Sequence, residues 1–87
     1  MKLKKRRKKV SLFLYNDDYN SLEYVVEVLS RFVPKCNKLR SEQLAIMAHN
    51  KGCIQICSGF SPEIYQIQSN LIRVGLIVET NNFLVDD

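Results

Sequence analysis

The sequence predicts a small α+β sandwich in the order β-α-α-β-α-β, a three-stranded antiparallel sheet with helices packed on one face. Three observations lead there: a stretch of strict apolar alternation near the start, three stretches of helical periodicity with start and stop signals, and two more short apolar runs. In "VSLFLY", Val10, Leu12 and Leu14 point one way while Ser11, Phe13 and Tyr15 point the other. That is a period of two, with enough apolar content to bury part of both faces. "NDDYN" then breaks the pattern.

Asn20 followed three residues later by Glu23 reads as a capping box, so a first helix begins near Ser21. Leu22, Val25, Val26, Leu29, Phe32 and Val33 follow at helical spacing until Pro34. Lys35 to Leu39 reads as a loop. A second helix spans about Ser41 to Lys51, with Leu44, Met47 and Ala48 inward and Gly52 as its stop. "CIQIC" is a strand, and Ser61-Pro62-Glu63 opens a third helix. Ile64, Ile67, Leu71, Val74 and Val78 form its stripe, which Gly75 interrupts. Two outcomes stay open here. Either the helix continues to about Thr80, or it stops at Gly75 and "LIVE" becomes a strand, even one arm of a hairpin with "FLV".

The chain has 87 residues, enough for one domain. Its formal charge of +4 is unevenly placed, because seven of the thirteen Lys and Arg lie in the first nine residues. From Val10 onward six basic and nine acidic side chains leave −3. Residues 1–9 therefore read as a flexible basic tail and 10–87 as a single domain. The tail is foremost a solvated arm, with contact to nucleic acid as the second reading. It lacks the apolar segment of a signal peptide, and no run is long enough to span a membrane. Cys36, Cys53 and Cys57 match no zinc or redox spacing and read as reduced thiols of an intracellular protein.

No catalytic constellation stands out, and the chain holds one histidine, His49. The sequence thus points away from an enzyme, and to no metal or cofactor. Asn16-Asp17-Asp18 has two readings. Asp and Asn form turns and cap helices through their side-chain acceptors. The same three side chains could also surround a substrate ammonium group, each charged hydrogen bond contributing roughly 1.5–3 kcal/mol. No EF-hand pattern follows that would favour calcium.

"VSLFLYNDDYNSLEYVVEVLSRF" resembles the opening of ClpS, the adaptor of the Clp ATP-dependent protease, with NDDY, Glu23, Tyr24 and Val25 in register. "LAIMAHNKG" is similar to the family's second helix, and "ICSGFSPEI" to its strand and third-helix start. The resemblance covers residues 10 to about 74. It implies a non-enzymatic adaptor that binds destabilising, large hydrophobic or aromatic N-terminal residues of substrate proteins. Such an adaptor delivers them to the N-terminal domain of a Clp AAA+ unfoldase of the ClpA or ClpC type. It implies that Asn16, Asp17 and His49 contact the α-amino group, with Asp18 in support. Leu22, Val25, Ala45, Ala48 and Phe83 would line the side-chain pocket, and Glu63 and Gln68 would face the unfoldase.

The chain departs from the family pattern in several places. Leu22 stands for a gatekeeper methionine, Asn20-Ser21 for Thr-Pro, Ala45 for a second pocket methionine, Phe83 for leucine and Gln68 for lysine. Residues 53–55 carry one extra position, and so does the loop around Pro34. The resemblance favours the longer third helix, with 82–86 as the last strand. It also implies a monomer in the bacterial cytoplasm or a plastid or apicoplast stroma, with no membrane contact. Within the family, the alternative is a divergent module of altered specificity. Outside it, the alternative is a nucleic-acid or ribosome-associated domain using the tail, since the C-terminal domain of the ribosomal stalk protein has a similar fold.

Overall fold

The computed structural model describes the backbone of residues 6–86 and the side chains of residues 8–82. Its elements are β1 (Arg6–Tyr15), α1 (Leu22–Phe32), α2 (Lys38–Lys51), β2 (Cys53–Phe60), α3 (Glu63–Arg73) and β3 (Val78–Asp86). The sheet order is β2-β1-β3, with both pairings antiparallel. The expected α+β architecture is therefore present, with β1 as the central strand.

Alternation in β1 sets the core. Val10, Leu12 and Leu14 are at most 2% exposed and pack with Leu29 of α1, Leu44 of α2 and Leu71 of α3. Phe13 and Tyr15, on the opposite face, are only half-buried. Leucines at full burial contribute about 1.5–3 kcal/mol each, so this row anchors the helices to the sheet.

The boundaries differ from expectation at several points. β1 starts at Arg6, so Arg6 to Lys9 pair with Asp86 to Phe83 as strand and are not part of a free tail. The α1 N-cap is Ser21, whose Oγ accepts from the Tyr24 N–H at 3.1 Å. Asn20 is committed elsewhere, as described below. α2 starts at Lys38, because Asn37 Oδ1 accepts from the Arg40 N–H at 2.8 Å and caps a turn that reads as loop in the sequence. α3 starts at Glu63 after Pro62, with no side-chain cap from Ser61.

β2 carries a bulge. Leu12 pairs with Cys57 and Phe13 with Gln55, leaving Ile56 as the extra residue. The bulge brings Cys57 level with Leu12 on the helix-covered face. Burial there, reinforced by nearby Cys36, pushes the Cys57 thiol up to about 11. It is protonated and a poor nucleophile at neutral pH.

The end of α3 settles the ambiguity at Gly75 against the longer helix. Leu76 N–H donates to Leu71 O at 3.0 Å, and Gly75 N–H donates to Ile72 O at 3.0 Å. These two bonds define a Schellman stop, and Gly75 takes the left-handed conformation it needs, at φ 95°. Leu71 and Leu76 are both buried, as that motif favours. β3 then runs unbroken from Val78 to Asp86 along β1, so residues 76–85 form no hairpin. A Cβ at Gly75 would meet nothing within 4 Å. Gly75→Ala should therefore cost only the backbone term, about 1–2 kcal/mol, read as a lower urea midpoint.

Candidate functional site

Two backbone bonds fix the end of β1. Tyr15 N–H donates to Ile77 O and Asn16 N–H to Gly52 O, both at 2.9 Å. The strand end is thereby held between the α2–β2 turn and the α3–β3 turn. Asp17 then folds the loop through its own carboxylate. Oδ1 accepts from Tyr19 N–H at 3.0 Å and Asn20 N–H at 2.8 Å, and Oδ2 accepts from Asn20 Nδ2 at 3.2 Å. This is an Asx turn of the kind that short acidic side chains favour. It leaves Oδ2 with acceptor capacity to spare.

The loop is tied to the far side of the fold as well. Asn20 Nδ2 donates to Gly75 O at 3.0 Å, and Tyr24 Oη donates to Val74 O at 2.6 Å. From α2, His49 reaches across to place Nδ1 3.4 Å from Asn16 Oδ1. Asp18 is exposed and has no hydrogen bond among the described residues.

Behind these polar groups lies a cleft of about 350 Å³. Leu14, Val25, Ala45 and Ala48 form its apolar interior, and Leu22 and Ile46 stand at its mouth, each nearly half exposed. Tyr15 borders it from β1. Glu79 on β3, as a hydrogen-bond acceptor and a nearby negative charge, holds the Tyr15 phenol pKa above its ordinary value.

Asn16, Asp17, Asp18, His49, Leu22, Val25, Ala45 and Ala48 thus meet around one cleft. The Phe83 side chain lies outside the described residues. Its backbone pairs with Lys9, five positions along β1 from the Leu14 that lines the cleft. Glu63 and Gln68 sit apart on α3. Sequence reasoning missed Leu14, Tyr15, Asn20 and Ile46. Ile46 was within reach, because it precedes His49 by three residues and so shares its helix face. Asn20 was read as a cap, which hid its role as a cross-brace.

An apolar cleft with two carboxylates, an amide and an imidazole at its rim can take a cationic head group attached to an apolar side chain. Residues 5–74 match the family model "ATP-dependent Clp protease adaptor protein ClpS". The chain belongs to the ClpS family. Among curated ClpS proteins, that of Gloeobacter violaceus is 31% identical over 70 residues, covering 75% of each chain. That of Parvibaculum lavamentivorans is 42% identical over 67 residues, or 72% of this chain. The chain spans 58% of that ClpS and 60% of the one from Rhodospirillum centenum. The structure of Agrobacterium tumefaciens ClpS2 bound to L-phenylalaninamide superposes with a TM-score of 0.72 at 19% identity. It covers 88% of this chain and 99% of that one, a likeness of fold. ClpS proteins are adaptors of the Clp protease and not enzymes. Among the described residues no helix is long and apolar enough to cross a membrane.

Proposed function

We propose that this protein captures the free N-terminal amine of substrates whose first side chain is large and apolar, and presents them to a Clp AAA+ unfoldase. The observation that carries the reading is the gathering of Asn16, Asp17, Asp18 and His49 on the rim of a 350 Å³ apolar cleft. A free α-amine has a pKa of about 7.7–8.0 and is largely cationic at neutral pH. Oδ2 of Asp17 and Oδ1 of Asn16 are acceptors suited to its N–H bonds, while His49 borders the same opening. The cleft interior suits a Phe, Tyr, Leu or Trp side chain. Ala45 leaves the floor open where a longer residue would fill it. L-Phenylalaninamide, the ligand in the Agrobacterium ClpS2 structure, joins a free amine to an aromatic side chain and so has the chemistry this cleft calls for.

Delivery would use the surface of α3 that carries Glu63 and Gln68, facing the N-terminal domain of a ClpA- or ClpC-type unfoldase. The protein would act as a monomer in a reducing compartment, bacterial cytoplasm or plastid stroma. Fluorescence anisotropy with a labelled peptide beginning with Phe tests the central step. The free-amine peptide should bind, and its N-acetylated twin, lacking the charge and most of the donors, should lose at least about tenfold in affinity. Equal affinity for the two would remove the amine from the recognition, and equal affinity for Phe-led and Ala-led peptides would remove the pocket.

A further inference from the structure

The turn that joins α1 to α2 stands at the opposite end of this helical hairpin from the cleft. Leu22 opens α1 at the cleft mouth, and the helix then runs 11 residues, about 16 Å, before the turn. Between Glu27 and Glu42 the chain holds four bases and no acid. Three of them, Lys35, Lys38 and Arg40, fall within six residues, in a domain whose formal charge from Val10 onward is −3. All three are exposed. The fourth, Arg31, is paired with Glu27 at 3.2 Å, whereas Lys35, Lys38 and Arg40 have no ion pair among the described residues.

An apolar side chain stands in the middle of these charges. The buried row of α2 is Ser41, Leu44, Ala45 and Ala48. At about 100° per residue, Leu39 projects almost directly away from that row, with Lys38 and Arg40 on its two flanks. Leu39 is 63% exposed. Lys35 precedes the helix in the left-handed conformation, at φ 59°. Glycine would avoid the backbone cost there, so a lysine holds its charge in the turn at the expense of some stability. Cys36 is buried and Asn37 Oδ1 accepts from Arg40 N–H at 2.8 Å, so the turn is pinned and displays its cations on a fixed backbone.

We propose that the α1–α2 turn is a docking surface for an acidic segment of a partner protein, which sets an apolar side chain against Leu39 and carboxylates against Lys35, Lys38 and Arg40. Charge complementarity identifies the occupant. A single-stranded nucleic acid calls for an aromatic ring to stack a base, and residues 34–41 contain none. A lipid surface calls for roughly four to eight clustered bases, more than the turn presents. The surface lies away from the cleft, so the inference stands independently of what the cleft binds.

The probe is the peptide Gly-Asp-Glu-Leu-Glu-Asp-Gly, acetylated and amidated so that it offers the cleft no amine. Titrated into isotope-labelled protein, it should produce saturable amide shifts confined to residues 34–42, with an affinity that falls as salt is added. Replacing the leucine of the probe by serine should weaken binding roughly three- to tenfold, as should Leu39→Ser. The double variant Lys35→Gly/Arg40→Gln should weaken it by roughly three- to tenfold as well. Its urea midpoint should not fall, because glycine relieves the left-handed position. Absence of a saturable shift, shifts centred on the cleft, or unchanged affinity in the double variant would overturn the proposal. So would equal binding of a probe whose acids are replaced by lysine. Turn amides that respond to phosphatidylserine vesicles or to a single-stranded oligonucleotide, and not to the acidic probe, would reassign the turn to a membrane or to nucleic acid and overturn it too.

Discussion

Asp17→Asn is expected to weaken binding of a free-amine, Phe-led peptide by roughly ten- to a hundredfold while leaving the unfolding midpoint almost unmoved. The magnitude follows from loss of a charge-assisted hydrogen bond, about 1.5–3 kcal/mol. The separation of the two effects follows from the loop geometry. An asparagine at this position keeps an Oδ1 that can accept from Tyr19 N–H and Asn20 N–H. What it loses is the second acceptor oxygen and the negative charge, and Asn20 Nδ2 retains Gly75 O. Asp17→Ala is the cruder variant, because it removes all three loop bonds along with the charge. Anisotropy titrations and urea melts run side by side would distinguish them. Wild-type affinity in Asp17→Asn would mean that the carboxylate shapes the loop and does not serve as the ligand's counter-ion.

Leu12→Ala should have the converse effect. Leu12 is fully buried at the middle of the central strand, opposite Cys57 on one side and Thr80 on the other. Truncation of a leucine in such a place costs about 2–5 kcal/mol, because the surrounding sheet and helices cannot collapse into the space. Against a total stability of about 5–15 kcal/mol for a domain, that is a large fraction. The urea midpoint should fall accordingly, while the folded fraction should still bind the Phe-led peptide with near-normal affinity, since Leu12 does not line the cleft. A loss below about 1 kcal/mol would indicate that the sheet repacks around the gap.

Much of the fold is legible in the sequence because β1 is unambiguous. Val10, Leu12 and Leu14 alternate cleanly, and the structure buries all three. The start of α2 is less legible. Its inner face is built from Ser41, Leu44, Ala45 and Ala48, where three small residues beside a single leucine produce little apolar contrast. Ser41 is fully buried yet polar, and its hydroxyl is bonded to Asn37 O at 2.8 Å and lies 3.2 Å from Cys36 Sγ. Asn37 was the available signal for the cap.

The end of α3 misled for a different reason. Leu71, Val74 and Val78 fit a helical stripe, while Leu76 and Val78 fit a strand equally well. Only the stop at Gly75 distinguishes them. The resemblance to the ClpS family favours the longer helix, but the family model itself matches only residues 5–74. The segment that decides the helix end thus falls just past the matched stretch, where the resemblance offers only Phe83 and the last strand. At the cleft, the polar residues were readable as a constellation. Their neighbours Tyr15 and Asn20 were not, because what makes them relevant is contact with β3 and with the Gly75 turn, more than fifty residues away.

The two backbone bonds at the end of β1 have a kinetic consequence. Tyr15 is held by Ile77 and Asn16 by Gly52 before any peptide arrives. The socket therefore needs little ordering upon encounter, and that entropic cost is largely removed from association. Arrival should proceed at the ordinary rate for docking onto a ready surface, about 10⁵–10⁷ M⁻¹s⁻¹, whatever the first residue of the peptide. Discrimination among N-termini would then be expressed as residence time. A poor substrate would be sampled as often as a good one and released sooner, leaving the downstream machinery to act on those that stay.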